Sequence, residues 1–195
     1  MFEQLRNIDR NLLLAINSHK SPFLDSLMWQ FSSTIPTVTL ILVFAYFFYK
    51  RFGQKKTAEF ILACVILFAC TDSTSNLAKH TFKRYRPTHN LEIKNQVKKV
   101  NNYEGGKYGF FSGHSATTFG LAMFLFLCAK WLKPKLKLLF FIYPLIVVYS
   151  RMYLGVHYPS DIFLGMLDGF FFAGLVFYIF NKYFFKFNEE KIITS

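Results

Sequence analysis

Two histidines, a carboxylate and a set of basic side chains recur at intervals suited to moving a phosphoryl group. Lys79 is followed after six residues by Arg86-Pro87, then comes Ser112-Gly113-His114. Further on, Ser150-Arg151 is followed after five residues by His157 and, one helical turn later, by Asp161. Lys79, Arg86 and Arg151 carry the positive charge that equatorial phosphate oxygens require, and the two guanidinium groups can grip them bidentately. Ser112 stands where a helix N-cap belongs, so the amides of Gly113 and His114 point at an anion. Gly113 also leaves room for close backbone approach. His157 can attack phosphorus if Asp161 holds its other ring nitrogen. His114 then protonates the leaving oxygen and, in a second step, activates water. Fixed donors around the phosphorus stabilise charge spread over the transition state. His114, His157 and Asp161 are also types that bind a divalent metal. Three cationic neighbours repel such an ion, so neither a metal nor a cofactor is expected.

These residues meet only if the chain returns them to one face, and the composition says how. Hydrophobic residues make up 53% and aromatics 20% of 195 residues, more apolar surface than a soluble domain of that size can hide. The excess must face lipid. A net charge of +12 suits basic loops against anionic headgroups. A nucleic-acid binder would gather that charge on one soluble face. Here it falls between apolar runs, so nucleic acid is not an expected partner and membrane lipid is. Apolar runs cover 23–49 (with Pro36 kinking or resetting the helix), 57–80, 113–131, 134–153 and 159–181. Each is near the ~20 residues that cross a hydrocarbon core. In residues 1–22, Leu5, Ile8, Leu12, Leu13 and Ile16 recur at helical spacing, which predicts an amphipathic helix in the interface. The apolar core there is too short for a secretory signal. The expected fold class is therefore all-α. It is an integral membrane bundle of about five full transmembrane helices plus an amino-terminal interfacial helix, one domain over 1–195.

This topology puts Lys79, Arg86, Ser112, His114, Arg151, His157 and Asp161 at one membrane face. The short basic segments 50–56 and 130–137, with the lysines after 181, lie at the other, which the positive-inside rule makes cytoplasmic. The loop 81–112 then faces outward. Its polar part, 88–110, is expected to be mobile, either a lid over the site or a solvated connector. Asp72, Asn76 and Lys79 share a helical face, and charge within a span marks a polar cavity, so Asp72 is expected behind the site. Asp168 reads as a hydrogen-bonding group between helices. Gly165 and Gly169 read as a close helix contact. Lys83 and Arg84 read as headgroup contacts. Cys64, Cys70 and Cys128 read as small buried hydrophobes.

The three segments resemble the signatures of the type 2 phosphatidic acid phosphatases, relatives of acid phosphatases and vanadium haloperoxidases. Those signatures are Lys-x6-Arg-Pro, Pro-Ser-Gly-His and Ser-Arg-x5-His-x3-Asp. The first and third are complete here; in the second, Phe111 replaces proline, predicting a looser entry into the helix with no catalytic atom lost. The resemblance covers about residues 70–170. It implies a metal-independent phosphatase working through a phosphohistidine, with the roles assigned above. It also implies a lipid phosphate substrate at the outer face of a bacterial-type inner membrane. Undecaprenyl diphosphate, phosphatidylglycerophosphate, phosphatidic acid and lipid A phosphate are candidates, and the lack of a domain for a large glycolipid head leans toward the smaller headgroups. Many members have six spans. Two other readings stay open: a phosphotransferase, in which an alcohol replaces water, and a non-enzymatic anion transporter. Oligomeric state is open.

Overall fold

The computed structural model describes residues 2–185, so Lys186 and Lys191 of the basic tail lie outside the described residues. The helices are α1 (Phe2–Ser18), α2 (Pro22–Phe31), α3 (Ile35–Phe82), α4 (Gly113–Cys128), α5 (Pro134–Lys137), α6 (Ile142–Tyr153) and α7 (Pro159–Phe180). A 3-10 turn, Leu138–Phe141, joins α5 to α6, making one rod of 134–153. There is no β-strand among the described residues, and the fold is the expected all-α membrane bundle.

A straight α3 would be ~72 Å long, more than twice the hydrocarbon core. It is not straight. Gly53 adopts φ 78°, ψ −179°, outside helical geometry. Phe44 and Phe60 would stand ~24 Å apart along a straight helix, yet their ring centroids are 5.3 Å apart. Phe48 stacks on Phe60 at 4.9 Å. The two arms, 35–52 and 54–82, therefore fold back as a hairpin. With α4, the α5–α6 rod and α7 they make five apolar rods. Leu42, Phe47, Val65, Phe68, Leu145 and Phe171 point outward from these rods, as lipid-facing residues should. The end that holds the Gly53 turn is plugged by rings, among them Phe48, Phe60, Phe124, Trp131 and Phe185.

The tightest contact joins α4 to α7. A Cβ on Gly169 would lie 2.8 Å from the Gly120 nitrogen, and one on Gly120 would lie 3.1 Å from the Gly169 carbonyl. Only small residues let two backbones approach so closely. The contact locks the start of α4 to the first turn of α7: Ser112 N donates to the Asp161 carbonyl (2.9 Å), and Ser115 Oγ to that of Ile162 (2.7 Å). That backbone bond and the edge contact of Phe110 with Phe82 (4.8 Å) flank Phe111 at the entry to α4. Asp168 accepts from Thr74 at 3.1 Å, a hydrogen bond between α7 and α3.

Two boundaries differ from the sequence expectation, and one break falls where Pro36 was expected to reset the helix. The apolar run 23–49 is not one helix: α2 stops at Phe31 and α3 starts at Ile35. Pro36 lacks an amide hydrogen and disfavours helix before it, so the helix resets at 32–34. α4 ends at Cys128 rather than at residue 131. The amino-terminal helix ends at Ser18, and only part of it faces outward. Leu5, Ile8 and Leu12 are exposed, but Leu13 is buried against Ile93, Val97 and Tyr158. Asp9 and Asn17 are buried with it. These three residues, spaced by four, form a mixed polar face that apolar periodicity does not register.

The glycine contact generates a matched pair of predictions. Gly169→Ala should destabilise the bundle by about 1–3 kcal/mol, the usual cost of overpacking. Gly174→Ala, with nothing within 4 Å of its Cβ, should be neutral or gain about 0.5–1 kcal/mol from helix propensity. Thermal unfolding in detergent, followed with a thiol-reactive dye on buried Cys64 and Cys128, checks both.

Candidate active site

The end of α3, the start of α4, the end of α6 and the turn before α7 meet at one end of the bundle. His157 (1% exposed), Arg151 (2%) and Arg86 (9%) are buried there, while Lys79, Gly113 and His114 are partly exposed. Ser112 is the N-cap of α4, its Oγ accepting from Ser115 N (3.3 Å). The free first-turn amides of α4 thus face the site. A Cβ on Gly113 would lie 2.9 Å from Ser75 Oγ, so no larger residue fits between the two helices without a shift.

Each cation is held by neutral acceptors. Lys79 Nζ donates to Ser75 Oγ (3.3 Å) and Asn76 Oδ1 (3.2 Å). Asn76 in turn donates to Asp72 Oδ2 (3.0 Å), so Asp72 reaches the site through Asn76. Arg86 Nε donates to the Tyr108 carbonyl (3.1 Å). Arg151 donates to Ser32 Oγ and, at 3.4 Å, to Tyr103 Oη. Arg86 Nη1 and Arg151 Nε are buried without any hydrogen-bond partner. Burial, then the Arg151 charge, pushes Arg86 down to about 10. Burial is likewise the main cause that holds His157 well below its ordinary range, followed by Arg86 and Arg151.

His157 Nδ1 faces Asp161 Oδ2 at 3.7 Å, adjacent but beyond hydrogen-bond length. Asp161 is itself held firmly. Its Oδ2 accepts from Tyr158 N (3.0 Å) and its Oδ1 from Arg84 Nη1 (2.6 Å). Arg84 is therefore not a headgroup contact: two carboxylates inside the protein outcompete the interface for it. His114 Nε2 lies 3.2 Å from the Ser32 carbonyl. Ser32, Tyr103, Arg84 and Asp9 were not singled out by motif spacing. The break before Pro36 was the available signal for Ser32, and a charge inside an amphipathic helix that for Asp9.

The loop 88–110 packs down on the site. Ile93 and Val97 pack on Leu13 and Tyr158, and Val100 joins Met28, Tyr153, Leu154 and Val156. Gly105, at φ 68°, brings backbone so close that a Cβ would lie 2.6 Å from Arg86 Nη1. A Cβ on Gly109 would lie 3.6 Å from both His157 Nδ1 and Asp161 Oδ2.

The depressed basicity of His157 gives a stability prediction. An unfolded histidine binds a proton below about pH 6.5, whereas the folded one does so only at lower pH, so stability present above 6.5 is lost as pH falls. Between pH 7.5 and 5.5 this one group should cost the ligand-free protein about 1.4 kcal/mol. His157→Gln should lose that much less over the same interval, read from thermal unfolding at the two pH values.

Comparison with known proteins places the chain in a family. The model of the PAP2 superfamily matches residues 58–185, which contain all three motif segments. Lipid A 4'-phosphatase of Porphyromonas gingivalis is 34% identical over 86% of this chain and 70% of that protein. The Bacteroides thetaiotaomicron protein of the same name is 33% identical over 93% and 81%. Among solved structures, LpxE of Aquifex aeolicus superposes with a TM-score of 0.65 at 26% identity, covering 87% of this chain and 94% of that one. A phosphatidylglycerolphosphate phosphatase from Bacillus subtilis shares the fold, with a TM-score of 0.71 at 18% identity and coverage of 95% and 90%. By motif, fold and sequence, the chain belongs to the PAP2 superfamily and is a membrane phosphatase.

Proposed function

We propose that the chain hydrolyses a phosphomonoester or diphosphate on a membrane lipid through a phosphohistidine at His157. The observation that carries this reading is the pair of buried guanidinium nitrogens, Arg86 Nη1 and Arg151 Nε, that no protein acceptor satisfies beside a buried imidazole. A buried donor without a partner costs free energy that a bound phosphoryl group offsets. Lys79 and the first-turn amides of α4 at Gly113 and His114 complete the anion site. Nδ1 of His157 faces Asp161, which leaves Nε2 to attack phosphorus. As the Nε2–P bond forms, the bond to the lipid oxygen breaks and His114 supplies the proton to that oxygen. A carbonyl only accepts, so the Ser32 contact keeps a proton on His114 Nε2 and assigns the transferable proton to Nδ1. Water, deprotonated by His114, then cleaves the Nε2–P bond and releases inorganic phosphate. Asp161 orients His157, and Asp72 steadies Lys79 through Asn76. No step calls for a metal or cofactor.

The named relatives support a lipid A phosphate as first choice of substrate, ahead of the smaller headgroups that chain length alone favours. A relative from Sulfolobus acidocaldarius named undecaprenyl-diphosphatase, 28% identical over 69% of this chain, supports a polyprenyl diphosphate as the second. The basic segments beside Gly53 and Trp131 lie at the end opposite the site. The positive-inside rule then supports an inner-membrane protein with its site on the periplasmic face.

Phosphate release from a panel of these lipids, in detergent with excess chelator, tests the reading. Wild type should release phosphate and be inhibited by vanadate; His157→Ala should be inactive. Asp161→Asn should lower kcat about a hundredfold or more with little change in KM. Release undiminished in His157→Ala would remove the phosphohistidine from the mechanism.

A further inference from the structure

Asp9 lies on α1, far in sequence from every motif, yet it is only 8% exposed and bonded to the first turn of α7. Its Oδ1 accepts from Ser160 N (2.9 Å) and its Oδ2 from Ser160 Oγ and Arg84 Nη2 (2.8 Å). Arg84 Nη1 spans onward to Ser160 Oγ (2.7 Å) and Asp161 Oδ1 (2.6 Å). The guanidinium lies 4.3 Å over the Tyr158 ring, whose hydroxyl accepts from Asn90 (3.0 Å). One arginine is thus clamped between two carboxylates, over an aromatic face, at the residue before Asp161.

The charge count of this clamp matters. Asp9 and Asp161 contribute two negative charges and Arg84 one positive, leaving one net negative charge beside His157. Among the described residues, the charged or titratable groups that act on the imidazole from other elements are Lys79 on α3, Arg86 in the loop after α3, His114 on α4 and Arg151 on α6. Without Asp9, Arg84 is free to take both oxygens of Asp161, and no net negative charge remains to hold the proton on His157 Nδ1.

We propose that Asp9 and Arg84 are positioning residues for the reaction, acting through Asp161: α1 fixes and charges the carboxylate that orients His157. The proposal rests on the phosphatase reading for its kinetic consequence but not for its structural one. By keeping Arg84 shared, Asp9 leaves Asp161 Oδ2 available to Nδ1, and closing 3.7 Å to hydrogen-bond length needs only a small shift as substrate binds.

A double-mutant cycle tests it. Asp9→Asn can keep the acceptor for Ser160 N while removing the charge and the Oδ2 acceptor that shares Arg84. It should lower kcat about tenfold with KM within about twofold of wild type. In an Asp161→Asn background the same change should have no further effect, because the residue it acts through is already neutral. A variant that merely folds poorly loses activity in both backgrounds, so an equal loss in the two overturns the proposal, as does undiminished kcat in Asp9→Asn. A second arm needs no turnover. In 15N-histidine spectra of the ligand-free protein at pH 7.5, His157 should be the Nδ1–H tautomer. Asp9→Asn should shift it toward Nε2–H, whereas Arg84→Gln, which leaves both carboxylate charges uncompensated, should keep it at Nδ1–H. An unchanged tautomer in Asp9→Asn overturns the proposal even if the chain hydrolyses no lipid tested.

Discussion

Everything at the site end of this bundle follows from holding like charges together without neutralising them. Lys79, Arg86 and Arg151 converge on one buried imidazole, and their repulsion opposes folding. A carboxylate on each would relieve that repulsion and also cancel the cluster's positive charge. The chain instead meets them with neutral oxygens: Ser75 and Asn76, the Tyr108 carbonyl, Ser32 and Tyr103. These acceptors fix geometry and leave the charge. Arg84 and Arg86, two residues apart, show the contrast. Arg84 is neutralised by Asp9 and Asp161 and becomes scaffold, whereas Arg86 keeps a buried, unmatched nitrogen.

Such a cluster survives only in a frame that cannot relax, and the frame is built away from it. Backbone contact at Gly120, Gly165 and Gly169 locks α4 to α7, and with them Ser112 to Asp161. The aromatic plug at the Gly53 end ties the α3 hairpin to Trp131 and Phe185. Lipid-facing side chains contribute little to this, since lipid is as apolar as they are. The binding energy of the bundle comes from small residues, ring packing and a few interhelical hydrogen bonds.

The motif residues were legible in the sequence because phosphoryl transfer demands particular types at particular spacings, and the spans were legible because lipid demands apolar length. What the sequence hid were contacts that answer to neither demand. Asp9, Leu13 and Asn17 form one face of α1, but a face of one acid, one aliphatic and one amide has no apolar period. Arg84 looked like a headgroup contact because its partners lie 75 and 77 residues away in the chain. The loop 88–110 looked solvated because its buried anchors, Ile93, Val97 and Val100, are isolated among lysines and asparagines. Ser32 enters the site only because the helix breaks before Pro36, and a break within an apolar run says where the chain turns but not what it will touch.

The gradient of burial across the site assigns a direction to the proposed substrate. His157, Arg151 and Arg86 lie deepest, under the loop 88–110, while Lys79 and His114 are partly exposed. Beside Lys79 the α3 surface turns from the polar Asp72 and Asn76 to the exposed apolar Leu77 and Phe82. A lipid approaching along that surface puts its phosphate inward against the nucleophile and its ester oxygen outward against His114. That is the order in-line displacement requires, with nucleophile and leaving group on opposite sides of phosphorus. On the proposed reading, the acid His114 is the more exposed of the two histidines, on the side from which the lipid departs. On that reading the nucleophile is the buried histidine, reached by a phosphoryl group held between Arg86 and Arg151.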